Sequence, residues 1–168
     1  MSLFLDEMEA CVPALRRYAR ALTHDADRAD DLVQDCLERA IRKSSLWRPT
    51  GPLRAWLFRM LLNIHRNELR RSRRAPPAFS IDTLPIDPPT PAEQTDRLAL
   101  ADTARAMQKL SNEQREALLL VALEGMSYAE AAGVLDIPVG TLMSRIGRAR
   151  EALRTLTEAA GPRLRSVK

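Results

Sequence analysis

Apolar residues recur along most of this chain with the period of an α-helix, and the breaks in that period divide it into segments. Phe4, Met8, Cys11, Val12, Leu15, Ala19 and Leu22 form a first stripe, interrupted by Pro13. A proline removes a backbone donor and is best tolerated in the opening turn of a helix. The pattern therefore predicts a short helix, a break or kink, and a second helix opening at Pro13 and running to about Leu22. Ala29, Leu32, Val33, Cys36, Leu37, Ala40 and Ile41 then match the i, i+3, i+4, i+7 spacing without a miss. The stretch 44–52 contains Pro49, Gly51 and Pro52 and reads as a loop. From Leu53 a long helix is predicted, with Trp56, Leu57, Met60, Leu61 and Ile64 on one stripe and Phe58, Leu62 and Leu69 widening it.

Periodicity stops between residues 75 and 94, which hold six of the eleven prolines, and an extended linker is expected there. Helical spacing resumes from Ala92 to Leu110, through Leu98, Ala101 and Met107. Ser111 and Gln114 form a capping box before the run Ala117, Leu118, Leu120, Val121 and Leu123, with Gly125 placed as a left-handed stop. A second capping box, Ser127 and Glu130, opens a short helix bearing Ala131, Ala132, Val134 and Leu135. Asp136, Ile137 and Pro138 make a tight corner. A last helix then carries Leu142, Ile146, Ala149 and Leu153 inward and runs to about Ala159. The pattern predicts an all-α chain: a helical domain over 1–74, a linker over 75–94, a second helical domain over 95–160, and a tail over 161–168.

Composition agrees with this class. Seven aromatic residues and six glycines in 168 suit helices better than a β-sandwich. The net charge is +4 and arginine supplies 23 of the 26 basic residues, a bias that favours bidentate recognition of phosphate and guanine. A GC-rich genome would give the same bias, so charge placement matters more. The 53–74 helix bears Arg54, Arg59, Arg66, Arg70, Arg71, Arg73 and Arg74 against one Glu68, with Asn63, His65 and Asn67 interleaved. That is an electrostatic footprint for nucleic acid. Residues 127–150 read as a helix–turn–helix whose second helix points Thr141, Ser144, Arg145, Arg148 and Arg150 outward, as a major-groove reader or as the solvated face of a plain hairpin. The helix after Asp25 carries Asp31, Gln34, Asp35 and Glu38 opposite its apolar stripe, either simply solvated or a docking surface. Trp47 is a core plug or a stacking platform.

Cys11 and Cys36 both lie on apolar stripes and are expected to be buried thiols, although a redox role stays open. The cysteines and histidines have no zinc spacing, and no metal or cofactor is expected. No nucleophile–base pair or phosphate loop marks an enzyme. No signal peptide or membrane span is legible, so a cytoplasmic protein is expected.

The segments ADDLVQDCLERA (29–40), AWLFRMLLNIHRNELRRSRR (55–74) and SYAEAAGVLDIPVGTLMSRIGRARE (127–151), in this order around a proline-rich linker, resemble the extracytoplasmic-function type of RNA polymerase sigma factor. The resemblance implies a sigma region 2 domain over 1–74 and a region 4 domain over 95–160. It implies that Asp31, Gln34, Asp35 and Glu38 dock on core RNA polymerase, at the clamp coiled coil, with region 4 against the flap. Trp47, Asn63, Arg66, Asn67, Arg70 and Arg71 would recognise and help melt the minus-ten element. Thr141, Met143, Ser144, Arg145, Gly147 and Arg148 would read the minus-35 element, with Arg115 and Arg150 as phosphate anchors. Asp136 stands where the family turn usually has glycine, and Met143 and Gly147 depart from its recognition helix. An anti-sigma factor is the implied regulator, often in a stress response. A sigma-like decoy that titrates an anti-sigma factor and a plain helix–turn–helix regulator are the competing readings.

Overall fold

The computed structural model describes residues 2–48, 51–74 and 101–159 of the chain. The expected linker over 75–94, the start of the helix predicted from Ala92 (Leu98 included) and the tail lie outside the described residues. Within them the fold is all-α, without a strand.

The first half holds α1 (Ser2–Thr23), α2 (Ala26–Arg42), a 3₁₀ turn (Ser44–Leu46) and α3 (Leu53–Arg74). The break predicted at Pro13 does not occur, because α1 runs through it as one helix. Pro13 and Glu9, whose carbonyl loses its usual partner, are both exposed, so water can take the freed acceptor. On the opposite face Phe4 and Met8 before the proline, and Leu15, Tyr18, Ala19 and Leu22 after it, dock on one core. Continuous burial outweighs one lost bond.

His24 takes a left-handed conformation (φ 53°) at the corner, and Asp25 caps α2 by accepting from the Arg28 N–H at 3.0 Å. The predicted stripe of α2 is buried at Ala29, Leu32, Val33, Cys36 and Ala40, while Ile41 is exposed. Cys36 Sγ donates to the Leu57 carbonyl at 3.5 Å, and burial pushes its thiol up to about 12. Cys11 is only partly buried, with its thiol also raised, chiefly by burial.

The second half holds α4 (residues 101–109), α5 (Asn112–Ala122), α6 (Tyr128–Leu135) and α7 (Val139–Ala159). Both predicted capping boxes are formed, Ser111 with Gln114 and Ser127 with Glu130. Gly125 is left-handed (φ 64°), and Asp136 takes the same conformation (φ 55°, ψ 49°) at the corner between α6 and α7. Asparagine and aspartate tolerate that region better than other non-glycine residues.

The two halves pack together, α1 against α5 and α3 against α6. Two carboxylates of the second half organise the contact. Glu124, its side chain fully buried, accepts from Arg17 at 2.8 and 3.0 Å and from Arg54 at 3.0 Å. Arg54 also donates to the Glu124 carbonyl at 2.8 Å. Glu116 is held by Arg66 at 2.6 Å, and its carbonyl accepts from the buried Tyr18 hydroxyl at 3.1 Å. Burial and the neighbouring Glu116 keep the Tyr18 phenol well above its ordinary value, so it remains a donor. Arg59 donates to the Gly133 carbonyl of α6. Buried carboxylates are costly unless paired and fully hydrogen-bonded, and each of these has its cations in the opposite half.

Candidate nucleic-acid interface

On α3 the predicted donors divide. Asn63, Asn67, Arg70 and Arg71 are exposed on one end of the helix, while Arg66 is half-buried against Glu116. His65, read from the sequence as a donor among the arginines, is instead buried at 4% exposure. Its position beside Ile64 places it on the inner edge of the polar face. Burial first, then Arg28, Arg115 and Arg66, lower its imidazole from 6.5 to about 4.

The loop before α3 and the first turns of that helix form an aromatic recess of about 350 Å³ lined by Trp47, Arg48, Trp56 and Arg59. Trp47 lies 5.6 Å from the Phe4 ring and Trp56 6.5 Å from it, so both tryptophans rest on the start of α1. Trp47 is thus half-buried, with one side packed and the other lining the recess. Arg48 and Arg59 are exposed at its rim; Arg59 belongs to the basic face read from the sequence, whereas Arg48 was not singled out because nothing local marks a rim residue.

On α7, Leu142, Ile146 and Ala149 are buried, which turns Thr141, Ser144 and Arg148 outward on one face and Met143, Gly147 and Arg150 on the next. Arg145 is half-buried and lies 3.5 Å from Glu113. Arg115, expected as a phosphate anchor, has another task. Its guanidinium donates to the carbonyls of Met107, Gln108 and Leu110 at 2.9, 2.8 and 3.1 Å, closing the open end of α4. A planar donor fork turned inward onto three carbonyls is not presented to a phosphate.

Arg66, Arg70 and Arg73 of α3 and Arg145 of α7 face one another across a cleft of about 480 Å³, which Glu113 and Glu116 also line. The basic end of α3 thus meets α7 in this cleft through Arg145 alone, and α5 supplies a carboxylate to each side, Glu116 to Arg66 and Glu113 to Arg145. On α2, Asp31, Gln34 and Glu38 are exposed and Asp35 is half-buried. Asp35 is bound bidentately by Arg39 at 2.7 and 2.8 Å, Gln34 donates to Glu38 at 3.1 Å, and Arg42 stands 4.0 Å from Glu38.

Two family models match this chain: Sigma-70 region 4 over residues 100–153 and the Sigma2 domain of PhyR over residues 8–62. The RNA polymerase sigma factor EcfG of Rhodopseudomonas palustris is 41% identical over 160 residues, 93% of this chain and 86% of that protein. The chain belongs to the extracytoplasmic-function (ECF) sigma factors. Among solved structures, the sigma factor RpoE of Bartonella quintana in complex with the anti-sigma factor NepR superposes with a TM-score of 0.76 at 34% identity. The match covers 94% of this chain and 98% of that one. CnrH in complex with the cytosolic domain of CnrY gives a TM-score of 0.71 at 33% identity, over 93% and 88% of the two chains. The region 4 match takes in α6 and α7, so the helix–turn–helix of this ECF sigma factor lies within a recognised region 4. No helix among the described residues is long and apolar enough to cross a membrane, and no group of three or more metal-ligating side chains is present among them.

Proposed function

We propose that this ECF sigma factor recruits core RNA polymerase in the cytoplasm and reads its promoters with two separate surfaces. The aromatic recess and the exposed end of α3 (Asn63, Asn67, Arg70, Arg71, with Arg66 once released) take the minus-ten element as a melted strand. Stacking on aromatic rings over a basic track suits single-stranded DNA. The outer faces of α7, with Thr141, Met143, Ser144, Gly147, Arg148 and Arg150, take the minus-35 duplex, joined by Arg145. The acidic face of α2 meets the polymerase clamp, and region 4 meets the flap. The observation that carries this reading is the presence, in two halves of one chain, of two exposed arginine-bearing helix faces, Arg70 and Arg71 on α3 and Arg148 and Arg150 on α7.

Arg66 and Arg145 are each engaged by a carboxylate of α5 in the packed arrangement, so we read that arrangement as idle. Polymerase would separate the halves and free Arg66 from Glu116, whereas Arg145, whose partner Glu113 lies in its own half, is released only when DNA competes for it. The relative RpoE is solved in complex with the anti-sigma factor NepR, which supports control of this chain by an anti-sigma factor. The match of residues 8–62 to the Sigma2 domain of PhyR favours a second reading, a sigma-like decoy. That reading leaves the arginines of α7 without a task.

Run-off transcription with core enzyme and genomic promoter fragments separates the two. A sigma factor yields promoter-specific transcripts; Arg148→Ala should weaken promoter binding by about 1–3 kcal/mol for a lost bidentate base contact, and Asp35→Arg should lower core association with the helices intact. Absence of any promoter-specific transcript from the unmodified chain would favour the decoy.

A further inference from the structure

A second cavity, of about 290 Å³, lies at the seam between the halves beside the promoter-facing cleft, with which it shares Leu69 and Asn112. His24 and Arg28 at the α1–α2 corner and His65 of α3 line it from the first half; Gln108, Asn112 and Arg115 line it from the second. Two features set it apart from an ordinary wet crevice. His24 Nε2 and His65 Nδ1 are both buried without a hydrogen-bond partner. No carboxylate is among the lining residues, and the only charged side chains there are the arginines Arg28 and Arg115.

Buried polar atoms in folded proteins almost always have a partner, and the two rings that carry these orphaned nitrogens line one and the same cavity, so an occupant there that reorients them would satisfy both. The charges decide its sign. Burial and then Arg115 lower His24, while His65 is lowered by burial and then by Arg28, Arg115 and Arg66. Glu116 offsets Arg115 in part but is already held by Arg66, and Glu68, which feels Arg28, is not part of the lining. A metal cation would bring more positive charge to a site pressed by arginines. A water molecule would satisfy the rings and leave that charge uncompensated. An anion with several acceptor oxygens answers both, and each ring can choose the tautomer that donates.

We propose that this cavity is a binding site for a small tetrahedral oxyanion, a phosphate or phosphoryl group, held by His24, Arg28 and His65 of the first half and by the side-chain amides of Gln108 and Asn112 of the second. The charge of Arg115, whose fork stays on its three carbonyls, lies nearby. Because its donors come from both halves, the bound ion links them in the packed arrangement. Bound anion also favours the protonated rings, so occupancy draws protons onto His24 and His65.

The test uses the full chain, without polymerase. Titration with sodium phosphate and sodium sulfate, each against chloride at equal ionic strength, is followed by calorimetry and by the ring signals of the two histidines in NMR. The site predicts saturable binding of both oxyanions and an upward move of both ring titrations. It also predicts at least a fivefold loss of affinity in Arg28→Ala and in His65→Phe. Arg28 is exposed, so its variant keeps the test decisive should His65→Phe fail to fold. ATP that displaces phosphate from the same rings marks a nucleotide terminus as a source, and ATP that does not marks the free ion; either supports the site. Absence of saturable binding beyond chloride, or binding undiminished in Arg28→Ala with ring signals unmoved, overturns it: the cavity then holds water, or the ion sits on the exposed arginine faces.

Discussion

His65 and Gly147 show how single positions on the two basic helices carry opposite constraints. His65 is neutral in the folded chain, because burial and three arginines lower its imidazole from 6.5 to about 4. Unfolding restores the ordinary value, so between those limits the unfolded chain binds more protons and stability falls as pH falls. At about 1.4 kcal/mol per unit, and with some discount for water reaching the cavity, the loss is on the order of 2 kcal/mol between pH 6.5 and 4. Denaturant melts across that window, compared with a His65→Gln variant, check the slope; a variant with the same slope would remove His65 as its source. Gly147 is helical, exposed, and a methyl group there would meet nothing within 4 Å. Gly147→Ala should therefore stabilise the protein by about 0.5–1 kcal/mol, readable in thermal melts. If its lack of a side chain serves close approach to DNA, the same variant binds a minus-35 duplex more weakly by fluorescence anisotropy. The glycine was legible as a departure in the sequence. The burial of His65 was not, because its place on the stripe borders polar and apolar faces and the residues around it, from the α1–α2 corner and from the opposite half, are distant in sequence.

The elements themselves were largely written in local spacing. Both capping boxes, the left-handed Gly125 and Asp136, and the ends of α2, α6 and α7 involve residues within a few positions of one another, where sequence and geometry are directly linked. The cap of α6 carries weight because that helix has only eight residues. Ser127 Oγ accepts from the Glu130 N–H at 3.1 Å, and the Glu130 carboxylate accepts from the Ser127 N–H at 2.8 Å, which holds it below its ordinary value. Ser127→Ala should cost about 1 kcal/mol, seen as faster hydrogen exchange confined to α6 and its corner with α7. Exchange raised evenly through α5 to α7 would instead mean the unit opens as one. The exception at this scale is α1. Pro13 predicts a boundary by local rules, yet the helix is held on both sides of it by a core that those rules do not see.

At the scale of the molecule, the contact between halves was not legible. Arg17 and Glu124 are 107 positions apart in sequence, and Arg66 and Glu116 are 50 apart. The only trace is that Glu116, Leu120 and Glu124 share a four-residue spacing, which sets two carboxylates in line with a buried leucine. Glu124 anchors the packed arrangement, with Arg17 and Arg54 each left about half in water at 52% and 39% exposure. That exposure moderates the loss expected on breaking a buried pair, so Glu124→Gln should loosen the halves by about 1–2 kcal/mol. Small-angle scattering should show a larger radius of gyration, and core-dependent transcription should need less protein. Unchanged dimensions would place the adhesion in the apolar contacts instead.

Among the described residues, every ion pair that joins the halves takes its cation from arginine, never lysine. Lysine itself occurs only three times in the chain, and of the described residues only Lys43 and Lys109 carry an amine side chain. Acetylation, or an amine-directed crosslinker at the bench, thus has no handle on these contacts, and the guanidinium keeps its charge at any pH a cell reaches. The seam can be parted by something that competes for its arginines, but not by covalent editing of lysine.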